Sequence, residues 1–446
     1  MRIWGCEDLR IIFRSHHFRF NFHILKFSNF QIKIVNSLPK NTLRILRWLF
    51  GAVFVFSGFV KAIDPLGGSY KFQDYFAAMG LESLSSFALI LAVLLSALEM
   101  VIGLNLIAGI RLKETSWVAL LFMLFMTGLT FWIYRSNPVH DCGCFGDALI
   151  ISNKVTFYKN IVLLAMIIAI IVLRKHHTPT LKPLSECILV VFSFFGVMTL
   201  SHFNYHYLPM VDFRPYKIGA NIPEGMKIPD GAPRDEYATT FIYQKNGVKK
   251  EFSLNNYPAK DSTWKFVDQK TVLIKEGYKP PIHDFSIQSP TKGEITDIVL
   301  GNKSYSFLLV AYDLNKAATN RFDRINAIVG YAKKNNYPFY CLTGSAGTDV
   351  DDFVKKTGLK AEVCSADPTM LKTTIRSNPG LILLHNGTVV NHWPNGWLPS
   401  FDKPLSSDPK DEMPTIPSWL LVVAVAIAYS VAFIILRQIL TKLFQK

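Results

Sequence analysis

Six apolar stretches constrain this chain more than any other feature of its sequence. A helix needs about 20 predominantly apolar residues to cross the hydrocarbon core of a bilayer. Each stretch reaches that length or comes close to it, so we predict six transmembrane helices. They cover residues 44–63, 86–109, 115–134, 157–174, 184–206 and 416–437.

Basic residues orient these helices, because loops rich in lysine and arginine stay in the cytoplasm. The loops 64–85 and 135–156 and the long segment 207–415 then lie on the outer side. We therefore predict a bacterial inner-membrane protein with both termini cytoplasmic. The net charge of +15 indicates orientation in lipid rather than nucleic-acid binding. The cytoplasmic basic clusters are Lys40, Arg44 and Arg47; Arg111 and Lys113; Arg174, Lys175 and Lys182; and Arg437, Lys442 and Lys446.

The outer loop at 138–148 reads PVHDCGCFGDA and holds Cys142 and Cys144, separated by one glycine. On the outer side these cysteines meet an oxidising compartment, where disulfides persist. A bond between them would close a very small ring, which glycine allows the backbone to form. Such a bond offers little entropic stabilisation, and strained disulfides exchange readily. The pattern favours a redox-active pair.

Two other interpretations of this loop remain open at the level of sequence. The thiols could pack beside the membrane or bond to other cysteines. They could also bind a metal ion together with a nearby imidazole and carboxylate. The additional ligands in that case would be His140 with Asp141 or Asp147.

The first four predicted helices resemble the MauE/DoxX family of redox-associated membrane proteins, over about residues 43–175. The resemblance rests on FVFSGFVKAIDP at the end of the first span, LSALEMVIGLNLIAG in the second, and CGCFGD before the fourth. It implies a four-helix membrane bundle associated with thiol, quinone or sulfur redox processes. Quinone is therefore a candidate cofactor.

Glu99 lies within the second span, about 13 residues or roughly 20 Å from its outer end. A charge at that depth costs about 2.5–3.5 kcal/mol, so we consider Glu99 a candidate catalytic residue beside the cysteines. Lys61 is expected to snorkel to the outer surface, whereas Arg47 is expected to reach Glu99 more easily. A protonated Glu99 that hydrogen-bonds Asn105 or a neighbouring helix is the alternative to a proton- or quinone-linked role.

The outer segment divides into two parts by pattern. Residues 207–280 contain strand candidates joined by the tight turn Asn246-Gly247, which predicts a small β subdomain. Residues 281–400 alternate strands and helices and end in a hairpin. This second part resembles the thioredoxin-like fold, particularly its TlpA-type and peroxiredoxin-like members. The resemblance places a cis-proline at Pro379.

The chain departs from that family at the usual Cys-x-x-Cys position, where it reads AYDLNKAATN. Dithiol chemistry at that position is excluded. Cys341 and Cys364 follow two later strands, and we expect a structural disulfide, an unusual redox pair or two unpaired thiols. Residues 401–415 are rich in proline and charge, which predicts a flexible linker.

The first 40 residues form a basic, aromatic stretch without a clear helix or strand period. Either they are a disordered cytoplasmic tail, or translation starts downstream, near Val35. We predict the remaining divisions as a membrane domain at 41–177, a fifth helix at 183–206 and a sixth at 416–437.

The sequence thus predicts a polytopic all-α membrane bundle with a four-helix DoxX-like core and an extracytoplasmic α/β thioredoxin-like domain. Its expected function is redox-associated, in an envelope thiol–disulfide or quinone-linked pathway. The Cys-Gly-Cys pair would exchange electrons with an extracytoplasmic thiol oxidoreductase or client protein. The alternative is a non-catalytic membrane scaffold whose degenerate thioredoxin-like domain binds a protein partner.

Overall fold

The computed structural model describes residues 23–139, 141–179, 181–233, 236–253, 256–258, 261–275, 277–401 and 418–444. The helices are α1 (His23–Ile63), α2 (Pro65–Ala78), α3 (Ala88–Ala108), α4 (Leu112–Ser136), α5 (Asn153–Leu173), α6 (Pro183–Tyr207), α7 (Ile222–Gly225), α8 (Thr296–Leu300), α9 (Phe322–Lys334), α10 (Thr348–Thr357), α11 (Pro368–Thr374) and α12 (Ser418–Phe444). The strands are β1 (Glu236–Lys245), β2 (Val248–Ser253), β3 (Lys265–Lys275), β4 (Gln288–Ser289), β5 (Gly293–Glu294), β6 (Tyr305–Val310), β7 (Phe339–Thr343), β8 (Glu362–Ser365), β9 (Gly380–His385) and β10 (Thr388–Pro394).

Within the described residues, six helices are long and apolar enough to cross a membrane, which confirms the number predicted from the sequence. The first of these helices starts earlier than expected. Helix α1 begins at His23, inside the stretch in which the sequence showed no clear helical period. Helix α12, which contains the last apolar window, ends at Phe444, about two turns beyond the predicted end at residue 437. Residues 1–22 and 402–417, where most of the predicted tail and linker fall, lie outside the described residues.

Helices α1 and α3 pack closely because glycines line their contact. A Cβ on Gly58 would lie 2.6 Å from the backbone nitrogen of Met100, and one on Gly103 would lie 2.7 Å from the carbonyl oxygen of Gly51. Side chains at these positions cannot be added without moving a helix. The two helices are therefore held in one register along their length.

Helix α2 occupies an outer segment that the sequence indicated only as a loop. Asp64 caps its first turn by accepting a hydrogen bond from the Gly67 amide at 2.9 Å. Pro65 stands at the first helical position, where its missing N–H costs nothing. Gly68 lies against Ala92 of α3, so α2 packs on the end of the bundle where α1 ends and α3 begins.

The C-terminal domain is built on a seven-stranded sheet in the order β10-β9-β6-β7-β8-β4-β5. Strands β6, β7 and β8 are parallel, whereas β9 and β10 run antiparallel to their neighbours. Helices α9 and α10 cover one face of the sheet, and α8 and α11 cover the other. The hairpin between β9 and β10 turns at Asn386 and Gly387, both of which have positive φ.

The predicted β subdomain divides differently in space. Strands β1, β2 and β3 form a separate three-stranded sheet, and the predicted turn at Asn246-Gly247 is confirmed by positive φ angles of 51° and 82°. In contrast, Tyr216 and Ile222 are buried in the core of the seven-stranded domain. That domain therefore begins before β1, and β1–β3 interrupt it.

Cys341 and Cys364, for which the sequence left a disulfide, a redox pair or unpaired thiols open, are both free in this structure. The two residues lie on neighbouring strands, where Leu342 rather than Cys341 stands opposite Cys364. Alternate residues of a strand point to opposite faces. Cys341 consequently packs with Phe307 on one side of the sheet, and Cys364 packs on the other side.

Candidate thiol site beside helix α2

The loop between α4 and α5 brings Cys142 and Cys144 together. Their sulfur atoms lie 3.1 Å apart, both thiols are free, and the residues are only 8% and 7% exposed. Gly143 has a φ of 65°, a conformation that side-chain-bearing residues rarely adopt. This turn allows both thiols to point the same way.

Hydrogen bonds from two helices fix the backbone of the loop. Ser57 and Lys61, one turn apart on α1, each donate to the carbonyl oxygen of Cys144 at 2.7 Å. The Tyr75 hydroxyl on α2 donates to the carbonyl oxygen of Cys142, also at 2.7 Å. The position of the pair is therefore determined by the packing of the bundle.

Asp141 also contributes to the shape of the loop. Its carboxylate accepts a hydrogen bond from the Gly143 amide at 2.8 Å and pairs with Lys71 of α2 at 2.7 Å. Both contacts hold the turn closed. Among the described residues no group of three His, Cys, Asp or Glu side chains could hold a metal ion, and His140 lies outside that set.

Lys61 links the thiol loop to Glu99, contrary to the expectation that it would snorkel. Its ammonium lies 2.7 Å from the Glu99 carboxylate, and both side chains are buried. The expected depth difference was wrong because α3 begins farther out than α1 ends. Gly58 lies against Ser96 and Met100, which puts Glu99 about one turn from the level of Lys61.

Arg47, the expected partner of Glu99, has other partners. It donates to the carbonyl oxygens of Leu106 at 2.7 Å and Ile107 at 3.2 Å, and it lies 3.3 Å from the ring of His177. These contacts satisfy the C-terminal end of α3, where a positive charge is favourable. Arg47 thus ties α1 to the C-terminal end of α3.

The two thiols differ in acidity. The contact with Cys142, together with the charges of Lys159 and Lys61, outweighs burial and lowers the pKa of Cys144. The same contact and burial raise the pKa of Cys142. The thiolate is the nucleophile in exchange, so this difference favours Cys144 over Cys142 as the more nucleophilic sulfur.

Arg376 of the C-terminal domain docks onto the end of the bundle that carries α2 and the thiol loop. Its guanidinium is 2.8 Å from Asp64 and 3.1 Å from Asp147, the residue that follows the CGCFG stretch. Burial alone would raise the pKa of Asp64, but the charge and hydrogen bonds of Arg376 lower it. Beside this cluster, Tyr70 donates to Tyr312 of the domain at 3.0 Å.

A cavity of about 430 Å³ lies beneath the docked domain and reaches both thiols. Its polar lining comes from the ionic groups around Arg376 and from Lys61 and Lys71. Its apolar lining comes from α2, α3 and α4, and one of these side chains, Phe125, is 68% exposed on the outside of the bundle. The apolar residues include Phe72, Phe76, Met79, Leu95, Phe125, Met126 and Leu129.

The structure gathers some of the residues predicted from the sequence and leaves others apart. Cys142, Cys144 and Glu99 form one connected group through Lys61. Cys341 and Cys364 lie inside the sheet domain. The Asn378–Pro379 bond is cis, three residues beyond Arg376.

Sequence reasoning missed Lys61, Asp64, Tyr75 and Arg376. Lys61 and Asp64 stand inside the FVFSGFVKAIDP stretch that carried the family resemblance, so that motif contained a usable signal. Arg376 lies 312 residues from Asp64 along the chain. Nothing local to either residue indicates that contact.

Two family models match parts of the chain. Residues 39–173 match the family described as Methylamine utilisation protein MauE. Together with the six apolar helices, the match supports a MauE-type membrane protein, and the family points to a redox or electron-transfer related process. Residues 237–276, which span most of β1–β3, match Domain of unknown function (DUF8463). No curated protein and no solved structure matches the chain.

Proposed function

We propose that this protein is an inner-membrane component of an envelope thiol–disulfide pathway that uses Cys142 and Cys144 as a redox pair. The observation that carries the proposal is the 3.1 Å separation of the two sulfur atoms. Unequal thiol acidities support it, because a fast exchange site needs one thiolate at neutral pH. The partner is an extracytoplasmic thiol oxidoreductase or a client protein.

The exchange runs through a mixed disulfide. The Cys144 thiolate attacks a partner disulfide and forms an S–S bond, while the partner's first sulfur leaves as a thiolate. Cys142 loses its proton and attacks the Cys144 sulfur, which releases the partner's second thiolate. The partner gains two electrons, and the Cys142–Cys144 disulfide holds the oxidising equivalent. The reverse sequence oxidises a partner dithiol.

A quinone-linked version of this pathway fits the cavity. Phe72, Phe76 and Phe125 would hold an apolar ring system, and the cavity reaches both thiols. A bound quinone would supply an acceptor for two electrons and two protons. The chain's own contribution is to hold Cys144 as a thiolate beside that space.

Docking supports the proposed outer location of the C-terminal domain. Arg376 contacts both Asp64, at the end of α1, and Asp147, in the loop after α4. These two segments lie at the same end of the bundle, so the domain lies on the side of the cysteines. The distribution of basic clusters in the sequence supports an extracytoplasmic location for that side.

We infer a thioredoxin-like identity for the C-terminal domain from its three parallel strands, its terminal hairpin and the helices on both faces. Both cysteines of its described part are buried, which favours a binding role over catalysis within this domain. A scaffold function for the whole protein is the second candidate for that reason. The two candidates differ in whether Cys142 and Cys144 change redox state.

The experiment is alkylation trapping in intact cells. Acid quenching followed by a maleimide of added mass should reveal two populations of the 142–144 peptide, dithiol and disulfide. Deleting candidate extracytoplasmic oxidoreductases should move the pair almost entirely into one form. A pair that remains fully reduced in every strain would favour the scaffold.

A further inference from the structure

The C-terminal domain lies over the cavity that Cys142 and Cys144 line, and Lys372, Thr373 and Arg376 of the domain form part of its wall. Cys142 and Cys144 are nearly inaccessible in this arrangement. The proposed exchange needs a second sulfur to reach Cys144 in line with the bond that breaks. A polypeptide that reaches the pair through this cavity must displace the domain.

The face that the domain covers is acidic beside the thiols. Asp64 and Asp147 both point at Arg376, and the guanidinium spans them with separations of 2.8 and 3.1 Å. Burial raises the pKa of Asp147, and the charge of Arg376 opposes that rise. Without a basic side chain at this place, two desolvated carboxylates would face each other.

The domain presents a matching surface from α11 and the segment after it. Arg376 is 7% exposed and also donates to the carbonyl oxygen of Lys372. The ammonium of Lys372 lies 5.1 Å from the centre of the Tyr70 ring, and Tyr312 meets the Tyr70 hydroxyl. These contacts are polar and few, which suits an interface that opens.

We propose that the bundle's outer face around Cys142 and Cys144 is the docking surface for a protein partner that carries a basic side chain beside its reactive cysteine. The C-terminal domain occupies this surface in cis, and Arg376 takes the place of the partner's basic group. When the domain moves aside, the basic side chain of the partner replaces Arg376 at this surface. This inference rests on the proposed thiol exchange and names the partner class.

The test uses the full-length, reduced protein in detergent, with Cys6→Ser and Cys187→Ser to remove other reactive thiols. Three probes release a coloured thiopyridone when a thiolate attacks them: 2,2′-dithiodipyridine and two pyridyl-disulfide peptides. The peptides are identical except for Arg or Glu next to the cysteine. Rates are compared for the parent protein, Arg376→Gln, and Arg324→Gln, whose guanidinium contacts Pro399 and Ser400 within its own domain.

We expect Arg376→Gln to raise the rate at which the protein reacts with the Arg peptide by roughly tenfold, which is the scale of electrostatic effects on association. The reaction rate with 2,2′-dithiodipyridine should change much less. Arg324→Gln should react with all three probes at the rates of the parent protein. The Arg peptide should react faster than the Glu peptide, and adding Asp147→Asn should reduce that difference. Asp147→Asn alone keeps the Asp64 cap of α2. Its reaction rate with the Arg peptide should lie between those of the parent and Arg376→Gln.

Each failure has its own meaning. Equal rates for the Arg and Glu peptides, or no acceleration in both Arg376→Gln and Asp147→Asn while the small probe reacts, would overturn the docking surface alone. Failure of the small probe to react with Cys142 or Cys144 in any variant would overturn the proposed exchange itself.

Discussion

Replacing Lys61 with methionine is expected to lower the free energy of unfolding of the membrane bundle by about 3–5 kcal/mol. The substitution leaves the Glu99 carboxylate buried without its partner at 2.7 Å. It also removes one of the two donors to the Cys144 carbonyl oxygen. Denaturant unfolding in detergent micelles, followed by tryptophan fluorescence, measures the change.

Two matched variants separate the buried charge from lost packing. Adding Glu99→Leu to Lys61→Met should recover most of the lost stability, because an apolar pair can replace a buried ion pair at little cost. Lys175→Met alters an exposed lysine and should stay within about 0.5 kcal/mol of the parent. If Lys61→Met is as stable as Lys175→Met, the ion pair between Lys61 and Glu99 does not contribute to the free energy of unfolding.

The second large effect is expected from the thiols. Cys142→Ser and Cys144→Ser should each reduce complementation of a deletion strain to the level of the empty vector, because a hydroxyl cannot form a disulfide. The two variants should differ chemically. Cys142→Ser retains the acidic Cys144 and should accumulate a mixed disulfide with its partner, visible on non-reducing gels and identifiable by mass spectrometry.

Cys187→Ser provides the control for this prediction. Cys187 is exposed on α6 and lies far along the chain from the outer loop, so its loss should leave complementation unchanged. Full complementation by the Cys142→Ser, Cys144→Ser double variant would contradict the redox role. It would leave the membrane scaffold as the function of the chain.

The transmembrane helices were predictable because a bilayer imposes a length that apolar composition alone reveals. Helix α2 was not, because PLGGSYKFQDYFAA carries two glycines and mixed polarity, and its helical state depends on the Asp64 cap and on packing against α3. The hairpin turns at Asn246 and Asn386 were predictable from local residue chemistry. Structure that depends on neighbouring residues alone, such as a span or a hairpin turn, was therefore predictable from the sequence.

The site was predictable only in part, for reasons of depth and register. Cys142 and Cys144 are two residues apart, so their contact needs no tertiary information. The Lys61–Glu99 pair depends on how far α1 is shifted along its axis relative to α3. Glycine contacts between the two helices set this shift. Counting residues from the ends of the predicted spans does not reveal it. The relation between Cys341 and Cys364 was not decidable from the sequence, because one residue of register reverses the face of a strand.

The central claim is that Cys142 and Cys144 form one reversible two-electron couple. The most direct measurement is equilibration of the purified protein in dithiothreitol or glutathione buffers of set potential, followed by alkylation and mass spectrometry of the 142–144 peptide. We predict that both thiols disappear together in a single two-electron transition, with a potential less negative than about −300 mV, the bound typical of structural disulfides. Alkylation of both thiols at every potential, or their separate pairing with other cysteines, would contradict the claim.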